Sequence, residues 1–222
     1  MPSASLSGTA RHLVALVFPG RCPGCGCPAE PVCPRCLGAL RPPPSSPPPP
    51  GVDRWVAAFA YDGVARELVA RAKYHGRHAA LRWLADRAAE AWRAAGPDPV
   101  DVVTWVPTAP RRRRARGLDH ARVLALGVAD ALGCPARPLL ERGDGPPQTE
   151  LPVADRRRGP TVRARGRVPG PVLVVDDVAT TGATLRVCAV ALRAAGATSV
   201  CGLTVARTPA PGDQERTRRA ST

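Results

Sequence analysis

The chain has 222 residues, of which 44% are hydrophobic, and its formal net charge at pH 7 is +14. This length allows one ordinary domain with a small appendage, and the apolar content is high enough for a core, which excludes wholesale disorder. Because no apolar run approaches the ~18 residues that a membrane span needs, we expect a cytoplasmic protein without such a span. The charge suits polyanions such as phosphates, pyrophosphate or nucleic acid; the alternative is that arginine is simply the default cation of a chain with one lysine, Lys73.

The chain begins with a short apolar stretch, HLVALVFPG (12–20), that leads directly into cysteines. No small-residue cleavage site follows it, so we interpret it as a short amphipathic helix and not as a signal peptide.

Five cysteines follow in CPGCGCPAEPVCPRC (22–36). The pairs Cys22-x-x-Cys25 and Cys33-x-x-Cys36 supply four thiolates, which favour one tetrahedral, structural zinc ion over iron. A redox or disulfide cluster is the alternative. Cys27 is either a substitute ligand or a spare.

A proline-rich tract, RPPPSSPPPPG (41–51), separates this cluster from the rest of the chain. Such a tract favours polyproline II at about 3.1 Å per residue, so we expect a semi-rigid spacer roughly 30 Å long. The end of the chain has no apolar periodicity and is interpreted as a disordered tail. We therefore expect an N-terminal helix and four-cysteine zinc knuckle (1–41), a linker (42–51), a main domain (52–207) and a tail (208–222).

In the main domain, apolar runs typical of buried strands alternate with stretches at helical spacing. Strands are predicted within 53–63, 101–107, 171–177 and 199–207. Helices are predicted from Val64, through Leu81–Trp92, from Asp119 and through Leu185–Leu192. This alternation predicts an α/β fold with a mostly parallel sheet and helices on both faces.

Two unusual segments, 107–117 and 176–184, begin at the carboxyl ends of predicted strands, where such sheets bind ligands. In VVDDVATTGATL (174–185), small residues between a strand and a helix let backbone N–H groups close around a phosphate. Threonine hydroxyls add donors, and the carboxylates of Asp176 and Asp177 accept hydrogen bonds from ribose hydroxyls. The pattern predicts a site for a phosphorylated ribose; the alternative is a tight turn capped by threonine.

The stretch VLVVDDVATTGAT resembles the 5-phosphoribosyl-1-pyrophosphate (PRPP) loop of type I phosphoribosyltransferases. From about Phe18 to Arg207, apart from the proline tract, the chain is similar to the ComF family of competence-related proteins (ComFC and GntX types). Further stretches that carry the likeness are AKYHGR (72–77), VPTAPRRRRARG (106–117) and QTELPVADRRR (148–158). The resemblance implies a type I phosphoribosyltransferase-like fold, Mg²⁺-dependent phosphoribosyl transfer from PRPP to an acceptor that the sequence does not identify, and a link to DNA uptake.

The resemblance also implies roles for single residues. Asp176 and Asp177 would hold the ribose hydroxyls, in part through Mg²⁺, while Lys73 and Arg116 would stabilise the departing pyrophosphate. The 5-phosphate loop would comprise Ala179, Thr180, Thr181, Gly182, Ala183 and Thr184. The pyrophosphate loop would comprise Pro107, Thr108, Arg111, Arg112, Arg113, Arg114 and Gly117. Segment 142–167 would form a mobile lid that includes Gln148, Thr149, Arg156 and Arg157.

The chain departs from the family after Arg116-Gly117, where Phe-Asn-Gln is replaced by Leu-Asp-His (118–120). We interpret Asp119 as a helix N-cap and His120 as the residue that starts the helix; a catalytic role of His120 is the alternative.

A second function, that of a non-catalytic single-stranded DNA-binding competence factor, fits the positive charge. With only two Phe and two Tyr, the chain offers few platforms for base stacking.

Overall fold

The computed structural model describes residues 20–74, 78–96, 99–108, 119–142 and 161–208. The helices are α1 (Pro34–Gly38), α2 (Gly63–Tyr74), α3 (His78–Ala94), α4 (His120–Leu132) and α5 (Ala183–Ala194). The strands are β1 (Arg54–Ala60), β2 (Val102–Trp105), β3 (Leu140–Arg142), β4 (Val162–Ala164), β5 (Gly170–Ala179) and β6 (Ala197–Arg207). The predicted N-terminal helix and nearly all of the predicted tail lie outside the described residues.

Four strands form a parallel sheet in the order β1-β6-β5-β2. The central strands are almost continuously apolar because both faces of the sheet are covered. Alternation along β5 shows this directly: Leu173 and Val175 face one core, and Val172 and Val174 face the other.

Helices α2, α3 and α4 pack on one face of the sheet, where Trp92 of α3 is 1% exposed. Helix α5 packs on the other face with the small antiparallel pair β3–β4. The predicted mostly parallel sheet with helices on both faces is therefore confirmed. Within the described ranges, none of the helices has the length and apolarity needed to cross a membrane.

The pair β3–β4 is a difference from the sequence analysis, which placed only a lid in 142–167. Leu140 of β3 is buried and lies opposite Ala164 of β4. Strands of three residues are too short to show an alternating apolar pattern in the sequence. They form here because β3 and β4, which are far apart in the chain, pair with each other. Residues 143–160, between the two strands, lie outside the described part of the chain.

The proline tract has neither helix nor strand, as expected, but it does not hold the cysteine module away from the domain. The backbone N–H of Ala60 donates to the carbonyl of Arg41 (3.0 Å), at the carboxyl end of β1. The N–H of Asp53 donates to Val200 (2.8 Å) at the other end of β1, so the tract runs back along the domain. The cysteine module itself packs against Val64 of α2.

Candidate functional site

A small cleft at the carboxyl end of β5 brings the predicted sugar-phosphate residues together. Its walls are formed by Asp176, Val178, Ala179, Thr180, Thr181, Gly182, Ala183, Thr184 and Leu185. All six residues of the predicted 5-phosphate loop thus line one cleft, and so does one of the two predicted carboxylate residues, Asp176. Val178 and Leu185 also line the cleft, although the sequence analysis assigned them no role there.

The loop between β5 and α5 depends on Gly182, the N-cap of the helix. Its φ of 71° lies in the left-handed region, which glycine adopts without steric cost. Gly182 has no side chain to cap the helix, and Thr181 Oγ1 instead accepts a hydrogen bond from the N–H of Ala183 (3.3 Å). The first turn of α5 therefore lines the cleft with the positive end of its dipole, an arrangement that suits an anion.

The two adjacent carboxylates do not share this cleft. Strand β5 continues to Ala179, two residues beyond its predicted end, because Val178 and Ala179 still pair with β6. Successive side chains of a strand point to opposite faces. Asp176 accordingly lines the cleft, whereas Asp177 is not one of its lining residues.

Each carboxylate is held by the backbone that follows it. The N–H of Asp177 donates to Asp176 Oδ1 (2.8 Å), and the N–H of Val178 donates to Asp177 Oδ1 (2.6 Å). Burial, with the negative charge of Asp176, raises the pKa of the Cys188 thiol on α5. Asp176 follows Val172 and Val174 at alternate positions of β5, so it lies on the same face of the sheet as they do, the face that α5 covers.

The base of the predicted pyrophosphate loop lies at the same edge of the sheet. Trp105 of β2 is paired with Val175 of β5, and Pro107 and Thr108 follow directly. Thr108 Oγ1 donates to Asp119 Oδ1 (3.0 Å), which joins the two ends of segment 109–118. The predicted arginines of this loop, Arg111, Arg112, Arg113, Arg114 and Arg116, and Gly117 lie outside the described residues.

The start of α4 agrees with the sequence analysis. Asp119 is the N-cap and accepts a hydrogen bond from the N–H of Arg122 (3.3 Å). His120 is the first helical residue and is 5% exposed.

Lys73 lies next to the last residue of α2, but its side chain does not belong to the described part of the structure. The predicted lid residues Gln148, Thr149, Arg156 and Arg157 are outside it as well. Their roles stay predictions.

A second site is formed by Cys22, Cys25, Cys33 and Cys36, whose sulfur atoms all lie within 4.8 Å of one another. In a tetrahedral site with Zn–S bonds of about 2.3 Å, the sulfurs are about 3.8 Å apart. The four cysteines therefore fit one zinc ion after a small contraction. The backbone N–H groups of Cys33 and Cys36 donate to the sulfurs of Cys22 and Cys33 (both 3.4 Å), which stabilises thiolates.

The fifth cysteine of the cluster, Cys27, lies outside this group of four, with its sulfur 3.3 Å from that of Cys25. Hydrogen bonds from the backbone and side chain of Cys27 lower the pKa of Cys25 to about 6. Its contacts with Cys25 and Cys33 raise the pKa of Cys27 to about 12. The two shifts have opposite directions, so of these two thiols Cys25 loses its proton more readily.

Comparison with known proteins gives matches among solved structures alone: no protein-family model and no curated protein matches the chain. Glutamine PRPP amidotransferase from B. subtilis, complexed with ADP and GMP, is 28% identical with a TM-score of 0.42, covering 62% of this chain and 30% of that one. Purine phosphoribosyltransferase from Pyrococcus horikoshii is 28% identical (TM-score 0.38), covering 57% and 75% of the two chains. Orotate phosphoribosyltransferase from Aeropyrum pernix is 18% identical (TM-score 0.41), covering 71% and 82%. The chain thus spans about a third of the length of the amidotransferase. The solved structures to which it is similar include phosphoribosyltransferases.

Proposed function

We propose that this protein is a Mg²⁺-dependent phosphoribosyltransferase that binds PRPP and transfers its phosphoribosyl group to an acceptor. One observation carries the proposal: a single cleft is lined by Asp176, by three threonines and by the first turn of α5. A carboxylate complements sugar hydroxyls, whereas hydroxyl donors and a helix N-terminus complement a phosphate. A phosphorylated ribose needs both within one cleft.

In this proposal the chain positions the sugar from two sides. The backbone N–H groups at the start of α5 and the hydroxyls of Thr180, Thr181 and Thr184 bind the 5-phosphate. Asp176 accepts hydrogen bonds from the ribose hydroxyls and so orients the anomeric carbon. No nucleophilic side chain is required, because the acceptor itself attacks that carbon as pyrophosphate leaves.

The donor set of β5 fits Mg²⁺, which prefers oxygen ligands and is bound by one or two carboxylates together with substrate phosphates. Asp176, which lines the cleft, would hold the ion there, whereas the predicted part of Asp177 in Mg²⁺ binding stays a prediction because Asp177 does not line the cleft. When bound, it neutralises charge on the departing pyrophosphate.

The departing group needs further positive charge and protection from water. Arg111 to Arg114, Arg116 and Lys73 supply the charge, and the predicted lid excludes water. The anchored base of the loop, Thr108 hydrogen-bonded to Asp119, supports this arrangement. The finer assignment to the ComF family, with its link to DNA uptake, rests on the sequence motifs.

Calorimetric titration of the zinc-loaded protein with PRPP, with and without Mg²⁺, tests the proposal. We expect saturable binding that requires Mg²⁺ and is lost in a D176N/D177N variant. D130N is the matched control, since Asp130 is an exposed carboxylate that is paired with Arg82 at the far end of α4. A folded wild type that does not bind PRPP contradicts the proposal.

The second candidate function is single-stranded DNA binding, which the net charge of +14 favours. Stacking surfaces do not support it: the four tryptophans all lie in the described part of the chain, and none of them is exposed. DNA binding would weaken steeply with added salt, whereas PRPP binding depends on Mg²⁺. Titrations at two salt concentrations therefore distinguish the two functions.

A further inference from the structure

The cysteine module holds one more thiol than a tetrahedral zinc ion uses, and that thiol lies beside a ligand. The sulfur of Cys27 is 3.3 Å from that of Cys25, closer than the 3.6 Å between Cys25 and Cys33. Gly26 between the two has a φ of 81°, a left-handed conformation that turns the flanking residues toward each other. The sulfur of Cys25 is therefore closer to that of Cys27 than to that of Cys33, one of the predicted zinc ligands.

Solvent access singles out the same pair. Cys22, Cys33 and Cys36 are buried, whereas Cys25 is exposed and Cys27 is half-buried. An oxidant that approaches the module from solvent meets Cys25 first. Oxidation at an accessible thiolate beside a second thiol leads to a disulfide.

We propose that Cys25 and Cys27 are an oxidation site at which a hydroperoxide forms a disulfide and releases the zinc ion. This inference does not depend on the proposed transferase activity. It makes the fifth cysteine the resolving thiol of the zinc module.

The chemistry balances without any further reagent. The Cys25 thiolate leaves zinc and attacks one oxygen of hydrogen peroxide, which breaks the O–O bond and gives a sulfenic acid and hydroxide. The Cys27 thiol then attacks the sulfenic sulfur, the S–S bond forms, and the S–O oxygen leaves as water with the Cys27 proton. The two sulfurs lose two electrons in total, and the peroxide is reduced by two. Zinc keeps three thiolates of a site that needs four, and its affinity falls.

The test uses the zinc-loaded full-length protein treated with hydrogen peroxide. Zinc release is followed with a chromogenic chelator, and disulfides are mapped by mass spectrometry of peptides after alkylation of the remaining thiols. The variants are C27S and C27A, with C134S as a control that removes a half-buried cysteine of the main domain. Circular dichroism establishes that each variant is folded, and C27A replaces C27S if the serine variant is not.

We expect wild type and C134S to release zinc and to contain a Cys25–Cys27 disulfide, and dithiothreitol with added zinc to restore the site. The Cys27 variants should load zinc as wild type does and lose the rapid release. The proposal is overturned if a folded Cys27 variant fails to load zinc, since Cys27 is then a ligand. It is equally overturned if such a variant releases zinc at the wild-type rate, or if the wild-type disulfide joins Cys25 to Cys33.

Discussion

Pro49 lies directly against Gly182: a Cβ atom added to Gly182 would come within 2.3 Å of Pro49 Cγ. Pro49 is buried, and its carbonyl accepts a hydrogen bond from the N–H of Val52 (3.0 Å) that closes the end of the proline tract. Gly51 follows against Ala189 of α5, and its carbonyl accepts from Arg193 Nε (3.1 Å). The end of the tract is therefore held along α5, beside the loop that forms the candidate phosphate site.

The substitution G182A should destabilise the protein by about 2–3 kcal/mol, because an L-residue is strained at this φ and the new methyl group overlaps Pro49. It should also abolish PRPP binding. Urea denaturation gives the free energy of unfolding.

The matched control is G133A. Gly133 has nearly the same φ, 70°, but its added Cβ would meet open space, so we expect a loss of about 1 kcal/mol from strain alone. Equal losses in the two variants would mean that Pro49 does not restrict the loop.

Removing one carboxylate at a time should show that the two aspartates of β5 contribute differently to the binding of Mg²⁺-PRPP. D176N should raise the dissociation constant of Mg²⁺-PRPP by about 10- to 100-fold, because that is the typical effect of losing a hydrogen bond to a charged group. D177N should have the smaller effect, since Asp177 is not among the residues that line the cleft. Calorimetry measures both dissociation constants, and a larger effect of D177N would contradict the assignment of Asp176 to the cleft.

The hydrogen bond between Thr108 and Asp119 should stabilise the base of the predicted pyrophosphate loop. T108V removes its donor and should cost about 1 kcal/mol of unfolding free energy, and D119A should cost about 1 kcal/mol more because the N-cap of α4 is lost as well. Denaturation curves measure both. T198V, at an exposed threonine, is the control and should stay within about 0.5 kcal/mol of wild type.

The pKa of about 6 predicts how Cys25 reacts in the zinc-free, reduced protein. Because hydrogen bonds lower the pKa, the reactive thiolate is present above about pH 6 and is lost as the pH falls through that value. Alkylation by iodoacetamide, followed by peptide mass spectrometry from pH 5 to 9, should give a midpoint near pH 6 for Cys25.

Cys134 serves as the internal comparison for this measurement. Burial raises the pKa of its thiol, so its alkylation should begin only at higher pH. Identical pH profiles for Cys25 and Cys134 would contradict the hydrogen-bonded thiolate at Cys25.

Much of the fold follows from local patterns in the sequence. The apolar runs of β2, β5 and β6 are long enough to predict buried strands, and Asp119 was recognisable as an N-cap because capping depends on neighbouring residues. The phosphate loop was recognisable because its chemistry lies in consecutive residues, 176–184. The spacing of the two Cys-x-x-Cys pairs indicated a metal site for the same reason.

What the tertiary structure decided are relationships between residues far apart in the chain. The proline tract shows no pattern that distinguishes a spacer from a segment packed on α5, because the contact of Pro49 with Gly182 depends on where α5 lies. The length of β5, and with it the separation of Asp176 from Asp177, depends on pairing with β6. The sequence by itself therefore determined the chemistry of each segment, and only the packing of distant segments decided which side chains share a site, since burial and strand pairing depend on the whole fold.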